Sequence, residues 1–346
     1  MREKLIRQIE HTGPLTVAQF MAAALYDPEH GYYVNEPNIG EAGDFITAPE
    51  VSQMFGELIG LWRAHEWETI GKPDPIQLIE LGPGRGTLAA DARRAARIAP
   101  DFNAAARYAF IESNAAFQKM QRDAMAPDGV WHVALNEIPE GPSLIVANEF
   151  FDCLPIRQFI RKGGAWRERL IGAGESGLAF GLAREAVALA SLPRDVEEGA
   201  IYELAPALQT WVEQIAARIT QHKGRALIID YAGDGWGDTL QSMRAHKRIS
   251  PLEAPGESDL TAHVDFAAMA RLAEAAGLAV HGPVAQGAWL KALGVEARAA
   301  RLVRDNPDQA ENIARDLHRL TDEAEMGVLF QVLCLSHPAL PAPAGF

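Results

Sequence analysis

The sequence predicts an α/β fold with a mostly parallel, doubly wound sheet of seven strands. Short apolar segments alternate with longer segments of helical periodicity, the order that builds parallel sheets covered by helices on both faces. The first clear apolar segment, residues 76–81, leads directly into a glycine-rich turn and then an Ala/Arg-rich segment of high helix propensity. Open α/β sheets bind nucleotide-like ligands at such strand–turn–helix junctions. These observations indicate a Rossmann-like core.

The predicted strands share a short apolar run, which is typical of strands buried inside a parallel sheet. A helix is expected at 114–125, between the second and third of them. In this class of fold, the last strand is expected to run antiparallel to its neighbours. The strands span residues 76–81, 107–112, 131–134, 143–148, 225–231, 278–280 and 329–334.

The core spans residues 71–337, and four further parts are predicted: a segment before it, two insertions within it and a tail after it. Residues 1–70 are expected to form a helical cap over the ligand site, with an irregular aromatic and glycine-rich stretch of the kind that is uncommon without a function. Two insertions, a β-hairpin within 157–203 and a helical segment at 286–327, are candidates for a substrate lobe. The proline-rich end, 338–346, is expected to be a flexible tail.

Composition excludes several classes of function. The chain has 346 residues and a formal net charge of −14, which argues against binding to nucleic acid or to anionic membranes. Its two cysteines, Cys153 and Cys334, supply neither a disulfide framework nor a four-ligand zinc site, and no metal is expected. The N-terminus has no apolar signal core, and no apolar run is long enough to span a bilayer. A cytoplasmic protein without membrane insertion is expected.

The spacing of the glycines in the turn indicates the ligand. Gly82, Gly84 and Gly86 read G-x-G-x-G, whereas a dinucleotide fingerprint reads G-x-G-x-x-G. Glu80 stands two positions before the first glycine, and Thr87 follows the last. This pattern resembles motif I of the class I S-adenosylmethionine (SAM)-dependent methyltransferases. SAM carries an ammonium and a sulfonium instead of a phosphate, so a carboxylate beside the turn is electrostatically favourable; a purely structural turn is the alternative.

Glu112 supports the cofactor interpretation of the turn. It ends the second predicted strand, where a Rossmann-like fold places a carboxylate on the ribose hydroxyls. A strand-end carboxylate and the turn are independent features, and their agreement favours a SAM site. The cofactor-binding residues predicted from these two features are Glu80, Gly82, Gly84, Gly86, Thr87 and Glu112.

Polar residues follow the fourth predicted strand, in the loop that faces the methyl group in class I methyltransferases. Asn148, Glu149 and Asp152 lie there among aromatic residues. Two carboxylates and an amide suit a cationic nitrogen acceptor, because a carboxylate can hold a guanidinium through two hydrogen bonds and stabilise charge. These three residues are the candidate catalytic groups. The alternative is that Asn148 and Glu149 cap the following turn and that Asp152 is structural.

His263 is a fourth catalytic candidate. A histidine titrates near neutral pH and can act as a base, although a histidine in a loop is also compatible with a structural role. Asp265, two residues later, precedes a helix and is expected to be its N-cap. Asp230 and Tyr231, after the fifth strand, leave the same two interpretations open.

The chain as a whole resembles the MidA-type SAM-dependent methyltransferases, whose mitochondrial members are complex I assembly factors. The resemblance covers residues 5–337, with its motifs in the expected order. It implies SAM as the cofactor, protein arginine methylation as the activity, and a subunit of a complex I-type quinone oxidoreductase as the protein substrate. The segments that carry it are 31–33, 43–52, 80–87, 148–152, 230–231 and 261–266.

The resemblance also implies roles for single residues. Asp44, Thr47, Pro49 and Glu50 would form part of the cofactor pocket beneath the cap, and Glu149 would clamp the arginine. Two alternatives stay open: a small-molecule methyltransferase of the same fold, and a SAM-binding assembly factor without turnover. A nicotinamide dehydrogenase is disfavoured because the glycine spacing differs from the dinucleotide fingerprint.

Overall fold

The structure is a computed structural model that describes residues 1–34, 46–125, 128–175, 177–189 and 192–346. The helices in these ranges are α1 Arg2–Thr12, α2 Val17–Tyr26, α3 Ala48–Val51, α4 Gln53–Ile70, α5 Thr87–Ala96, α6 Pro100–Ala105, α7 Ala115–Met125, α8 Pro206–His222, α9 Phe266–Ala275, α10 Gln286–Ala292, α11 Val295–Asp305, α12 Ala310–Thr321 and α13 Met326–Leu329. The strands are β1 Leu15–Thr16, β2 Ile76–Leu81, β3 Ala106–Ile111, β4 Val130–His132, β5 Ser143–Asn148, β6 Arg157–Lys162, β7 Ala165–Gly174, β8 Gly177–Leu182, β9 Ile201–Leu204, β10 Gly224–Gly233, β11 Gln241–Arg244, β12 Lys247–Ile249, β13 Asp259–Thr261, β14 Val264–Asp265, β15 Ala279–Ala285 and β16 Phe330–Ser336.

The central sheet has the strand order β15-β16-β10-β5-β2-β3-β4, with the short β14 paired to the end of β10. Strands β10, β5, β2, β3 and β4 run parallel to one another. The last strand, β16, is antiparallel to both β10 and β15. The predicted doubly wound sheet with an antiparallel final strand is confirmed. Its order reverses between β5 and β2, where this class of fold binds ligands.

Helices cover both faces of this sheet, which makes β2, β5 and β10 almost wholly buried. On one face, α8 and α9 pack apolar side chains such as Val212 and Met269 against the strands. On the other face, α4 and the helices between β15 and β16 contribute Trp62 and Trp289. Continuous apolar strands are stable only in such a covered sheet. None of the described helices has the length and apolarity to cross a membrane.

The first insertion forms more than the expected hairpin. β6 and β7 pair around a turn in which Gly163 and Gly164 have φ of 64° and 70°, the left-handed conformation that glycine adopts most easily. These two strands belong to a five-stranded sheet with β8, β9 and β1, so the N-terminal region also contributes a strand. Apolar residues of α1 and α2 pack beneath this sheet. The N-terminal region and the insertion therefore share one core.

The C-terminal tail differs from the flexible segment predicted from its proline content. The indole of Trp62 donates a hydrogen bond to the Ala344 carbonyl at 3.1 Å, and the Ala344 amide donates to Glu66 at 2.8 Å. Arg225, fully buried in an ion pair with Glu66, donates to the Pro341 carbonyl at 2.6 Å. Buried donors are costly without acceptors, and the tail supplies acceptors that the sequence pattern does not reveal.

Candidate active site

A cavity of about 740 Å³ opens at the carboxyl ends of β2, β3 and β5. The carboxyl edge of a parallel sheet is where α/β folds bind ligands, and most of the residues selected from the sequence lie there. Those that line the cavity are Thr47, Pro49, Glu50, Glu80, Gly82, Gly84, Thr87, Glu112, Asn148, Glu149 and Asp152. Asp44 lies outside the described residues.

The glycine turn between β2 and α5 forms one wall. Gly82 has φ +60°, and a Cβ placed there would lie 2.8 Å from the Phe150 ring, so any side chain would be both strained and obstructed. Gly84 lies in the wall with φ +53°. Gly86 lies behind it, at the start of α5, where a Cβ would approach Gln121 at 3.3 Å. Gly86, which the sequence predicts to bind the cofactor, is not among the residues that line the cavity, and it shapes the turn.

Glu80 presents an unsatisfied carboxylate to the cavity. Its side chain is 3% exposed, and one carboxylate oxygen has no hydrogen-bond partner among the described residues. Burial raises the pKa of Glu80 to about 7, and the nearby Arg63 guanidinium opposes that rise. A buried carboxylate oxygen without a donor is costly. The ammonium of a bound SAM would satisfy it, so this residue fits the cofactor.

Glu112 lies immediately after β3, at the same edge. One of its oxygens accepts from the Asn114 amide at 2.8 Å, and the other accepts from the Gln121 side chain at 3.2 Å. Gln121 also donates to the Gly84 carbonyl at 2.7 Å and accepts from the Trp131 indole at 2.7 Å. It thereby ties the glycine turn to Glu112. Nothing in the sequence indicates this, because a buried glutamine within a helix belongs to no motif.

The segment around α3 joins the two sides of the cavity. The Ala48 amide donates a hydrogen bond to the Glu149 carboxylate at 3.0 Å. The Thr87 hydroxyl, at the start of α5, donates to the Glu50 carboxylate. This segment therefore contacts the glycine turn and the loop after β5, in agreement with its predicted place in the pocket wall.

Asn148 ends β5, and Glu149 begins the loop that follows it. Glu149 has φ +51°, a left-handed conformation that is rare for a residue with a side chain. Its carboxylate accepts from the Ala48 amide and from the Asn148 side chain, both at 3.0 Å. Burial raises the pKa of Glu149 to about 8. The Asn148 side-chain oxygen is buried and has no partner among the described residues.

Asp152 lies in the same loop and is 5% exposed. Burial raises the pKa of Asp152 well above its ordinary value, and the neighbouring Asp230, Asp259 and Glu149 carboxylates raise it further. Like charges held together in a buried site disfavour the ionised form until a cation arrives. This end of the cavity is therefore suited to a positively charged group.

Two tyrosines and a further aspartate complete the acidic end. Tyr33 donates from its hydroxyl to Asp259 at 2.8 Å, and Tyr26 donates to the Cys153 carbonyl at 3.0 Å. The two tyrosine rings stack with centroids 5.8 Å apart. Sequence reasoning did not assign these residues a role, although the aromatic stretch that contains the tyrosines was the available signal. No sequence pattern indicated a role for Asp259, because it reaches the cavity from a strand far along the chain.

His263 lies elsewhere. It lines a second cavity of about 490 Å³, together with Tyr202 and Arg271, and does not line the first. Its ring stacks on Tyr231 with centroids 6.0 Å apart, and burial lowers its pKa. The structure therefore does not support the expectation that His263 is a catalytic base. Asp265 caps α9 as predicted, accepting from the Ala268 amide at 2.7 Å.

Comparisons with known proteins identify the family. The chain matches a model of S-adenosyl-L-methionine-dependent methyltransferases over residues 58–284. The chain belongs to the MidA-type family of SAM-dependent methyltransferases. It is therefore an enzyme of the methyltransferase class with SAM as its cofactor.

Individual relatives cover nearly the whole chain. The mitochondrial protein arginine methyltransferase NDUFAF7 homolog of Drosophila melanogaster is 37% identical, over 99% of this chain and 86% of its own. The mitochondrial protein arginine methyltransferase NDUFAF7 of Mus musculus is 35% identical, over 97% and 84%. A crystal structure from Burkholderia thailandensis, bound to S-adenosyl-homocysteine, is 26% identical with a TM-score of 0.87, over 100% of this chain and 94% of that one. The whole fold is thus shared with a protein that binds the demethylated cofactor.

Proposed function

We propose that this enzyme methylates an arginine side chain of a protein, and that the protein is a subunit of a complex I-type quinone oxidoreductase. The observation that carries the proposal is the acidic end of the cavity, where Glu149 and Asp152 lie together in one loop beside Asp259. A guanidinium keeps its charge in any protein environment, so it is the cation that such a site holds best.

The side chains of the two ends of the cavity would have different roles. SAM supplies the methyl group as an electrophile on a sulfonium. Glu80 and Glu112 would hold the cofactor through its ammonium and its ribose hydroxyls. Glu149 would accept hydrogen bonds from the guanidinium and direct one nitrogen toward the methyl group. A bound guanidinium would favour the ionised form of Glu149, which is then also placed to accept the proton that the methylated nitrogen releases.

The nature of the acceptor rests on the relatives. Several relatives that match over nearly the whole chain carry the name protein arginine methyltransferase. These relatives are mitochondrial, and the resemblance to a family that includes complex I assembly factors supports an equivalent quinone oxidoreductase subunit as the substrate here. The net charge of −14 is compatible with a basic region on that partner.

The test is transfer of labelled methyl from SAM into a lysate of cells that lack this protein, after addition of the purified enzyme. We expect label in one protein band and, after digestion, on an arginine. Label confined to small molecules would contradict the proposal and favour a small-molecule methyltransferase of the same fold. Label on lysine or another side chain would retain the protein acceptor and reject arginine.

A further inference from the structure

The loop that presents Glu149 and Asp152 has an unusual backbone. Glu149 adopts the left-handed conformation, and its amide donates to the Ile229 carbonyl of β10 at 2.9 Å. The next residues have alternating orientations: Phe150 and Asp152 line the first cavity, whereas Phe151 lines the second. A small rotation of this backbone would therefore exchange which side chains face the active site.

The backbone amides of this loop converge on one carboxylate, that of Asp230. Its Oδ2 accepts from the Phe150 amide at 3.1 Å and from the Phe151 amide at 2.8 Å. Its Oδ1 accepts from the Tyr231 amide at 2.9 Å. Asp230 is fully buried on β10, next to β5 in the sheet, and it does not line the cavity. It has no direct access to substrate.

We propose that Asp230 is a positioning residue for methyl transfer, whose carboxylate holds the Phe150 and Phe151 amides so that Glu149 and Asp152 face the active-site cavity. The inference rests on the proposed role of these two side chains in holding the acceptor.

A carboxylate suits this task better than a neutral side chain. It has two oxygens that only accept, and hydrogen bonds from amides to a charged acceptor are shorter and stronger than neutral ones. An asparagine would present its own N–H donors to one of the three amides. Burial raises the pKa of Asp230 to about 7, while the amides of Phe151, Tyr231 and Phe150 favour the charged form. The buried charge is thus compensated by the loop it orients.

The experiment compares Asp230→Asn with Glu203→Gln. Glu203 is another buried carboxylate that accepts a backbone amide, from Thr239 at 3.0 Å, but it does not line the first cavity. The initial rate of labelled-methyl transfer into lysate proteins is measured at saturating SAM, together with the SAM dissociation constant and Tm. We expect Asp230→Asn to lower the rate at least tenfold with SAM affinity within twofold of wild type, and Glu203→Gln to lower Tm alone. Equal losses of rate in the two variants, or a parallel loss of SAM affinity, would assign Asp230 a merely structural role.

A second measurement uses the wild-type protein bound to S-adenosyl-homocysteine, so it does not depend on a folded variant. Hydrogen exchange at the Phe150 and Phe151 amides should be at least 100-fold slower than at exposed loop residues such as Glu185. Fast exchange at both amides would overturn the proposal. If the wild-type enzyme labels no protein, the proposed arginine methylation fails, while slow exchange would still show that Asp230 holds the loop.

Discussion

The two ends of the active-site cavity are built differently. The cofactor end comes from two short stretches of chain, residues 80–87 and Glu112, that the sheet places side by side. The acidic end combines side chains from three distant regions: Tyr26 and Tyr33, the loop after β5, and Asp259. The first is a local motif of a strand and its turn. The second exists only once the N-terminal region and β13 have packed against the core.

This difference in construction suggests that the two ends have separate functions, one in binding SAM and the other in binding and orienting the acceptor. The glycine turn fixes the backbone by its own conformation, whereas the acidic end depends on contacts between segments, such as the Ala48 amide on Glu149. Substitutions at the cofactor end should therefore change SAM affinity, and those at the acidic end should change turnover. Four predictions test that separation.

Glu149→Gln should have the largest effect. The neutral amide keeps the shape but loses the charge that holds a guanidinium, so turnover should fall by about 100-fold or more. SAM affinity, measured by calorimetry, should change by less than threefold. Glu323→Gln, at an exposed position outside the cavity, is the control and should retain full activity. Unchanged turnover in Glu149→Gln would remove this carboxylate from the acceptor site.

Gly82→Ala should weaken SAM binding by about 10- to 100-fold, since the new Cβ is strained and presses on the Phe150 ring, which costs about 1–3 kcal/mol. The control is Gly163→Ala in the hairpin turn, where φ is +64° and no atom of the described residues, other than its chain neighbours, lies within 4 Å of the new Cβ. That variant should lose about 1 kcal/mol of stability and bind SAM normally. Normal SAM binding by Gly82→Ala would show that the turn does not contact the cofactor.

Glu80 should make SAM affinity depend on pH. With its pKa raised to about 7, the carboxyl group is charged above that pH and protonated below it. The ammonium of SAM favours the charged form, so affinity should fall by up to about tenfold per pH unit as the pH drops below 7. Glu80→Gln should bind weakly with a flatter profile. Titrations of SAM binding to both proteins between about pH 6 and 8, roughly one unit either side of that pKa, would show this difference.

The same shift affects stability. Between its ordinary pKa of 4.5 and the native value of about 7, Glu80 holds a proton in the folded protein that the unfolded chain releases. Its contribution to the free energy of unfolding therefore decreases as the pH rises through this range. Denaturant titrations should show a smaller decrease in Glu80→Gln. A decrease as large as in wild type would mean that other groups cause it.

Tyr33→Phe should have the smallest effect. It removes the hydroxyl that donates to Asp259 but keeps the ring stacked on Tyr26. Losing a hydrogen bond of about 1 kcal/mol should slow methyl transfer at subsaturating acceptor about fivefold and leave SAM affinity unchanged. Tyr202→Phe, in the wall of the second cavity, is the matched control and should have no effect. A loss of SAM affinity in Tyr33→Phe would show that the acidic end also contributes to SAM binding and that the two ends are not functionally separate.

Local patterns predicted much of the fold. The strand at 76–81 was predicted from its apolar run, the turn from its glycines and the helix after it from helix propensity. Each of these signals is a property of adjacent residues. The antiparallel last strand came from knowledge of the fold class. The five-stranded second sheet was missed, because β1 has two residues and pairs with β7 far along the chain. Short strands carry too little periodicity to be recognised without their neighbours.

The site divides in the same way. Glu80 lies near the end of a strand, and Glu112 and Glu149 directly follow strands, so their positions selected them as candidates. Gln121 makes several hydrogen bonds across the fold, and these leave no pattern in the sequence. Asp230 was noted at the end of its strand, but its hydrogen bonds to the loop after β5 could not be predicted. His263 was selected for its titration range, a property of the residue alone, and the fold turns it toward another cavity.

The sequence alone determined the doubly wound core and the glycine turn predicted to bind SAM, because strand, turn and helix preferences act between residues close in the chain. Only the tertiary structure decided the acidic end. There, Asp259 and Tyr33 are 226 positions apart yet share a hydrogen bond of 2.8 Å. Such pairs form when burial of apolar surface brings distant segments together and leaves their polar groups to satisfy one another. Their geometry is a property of the packed molecule.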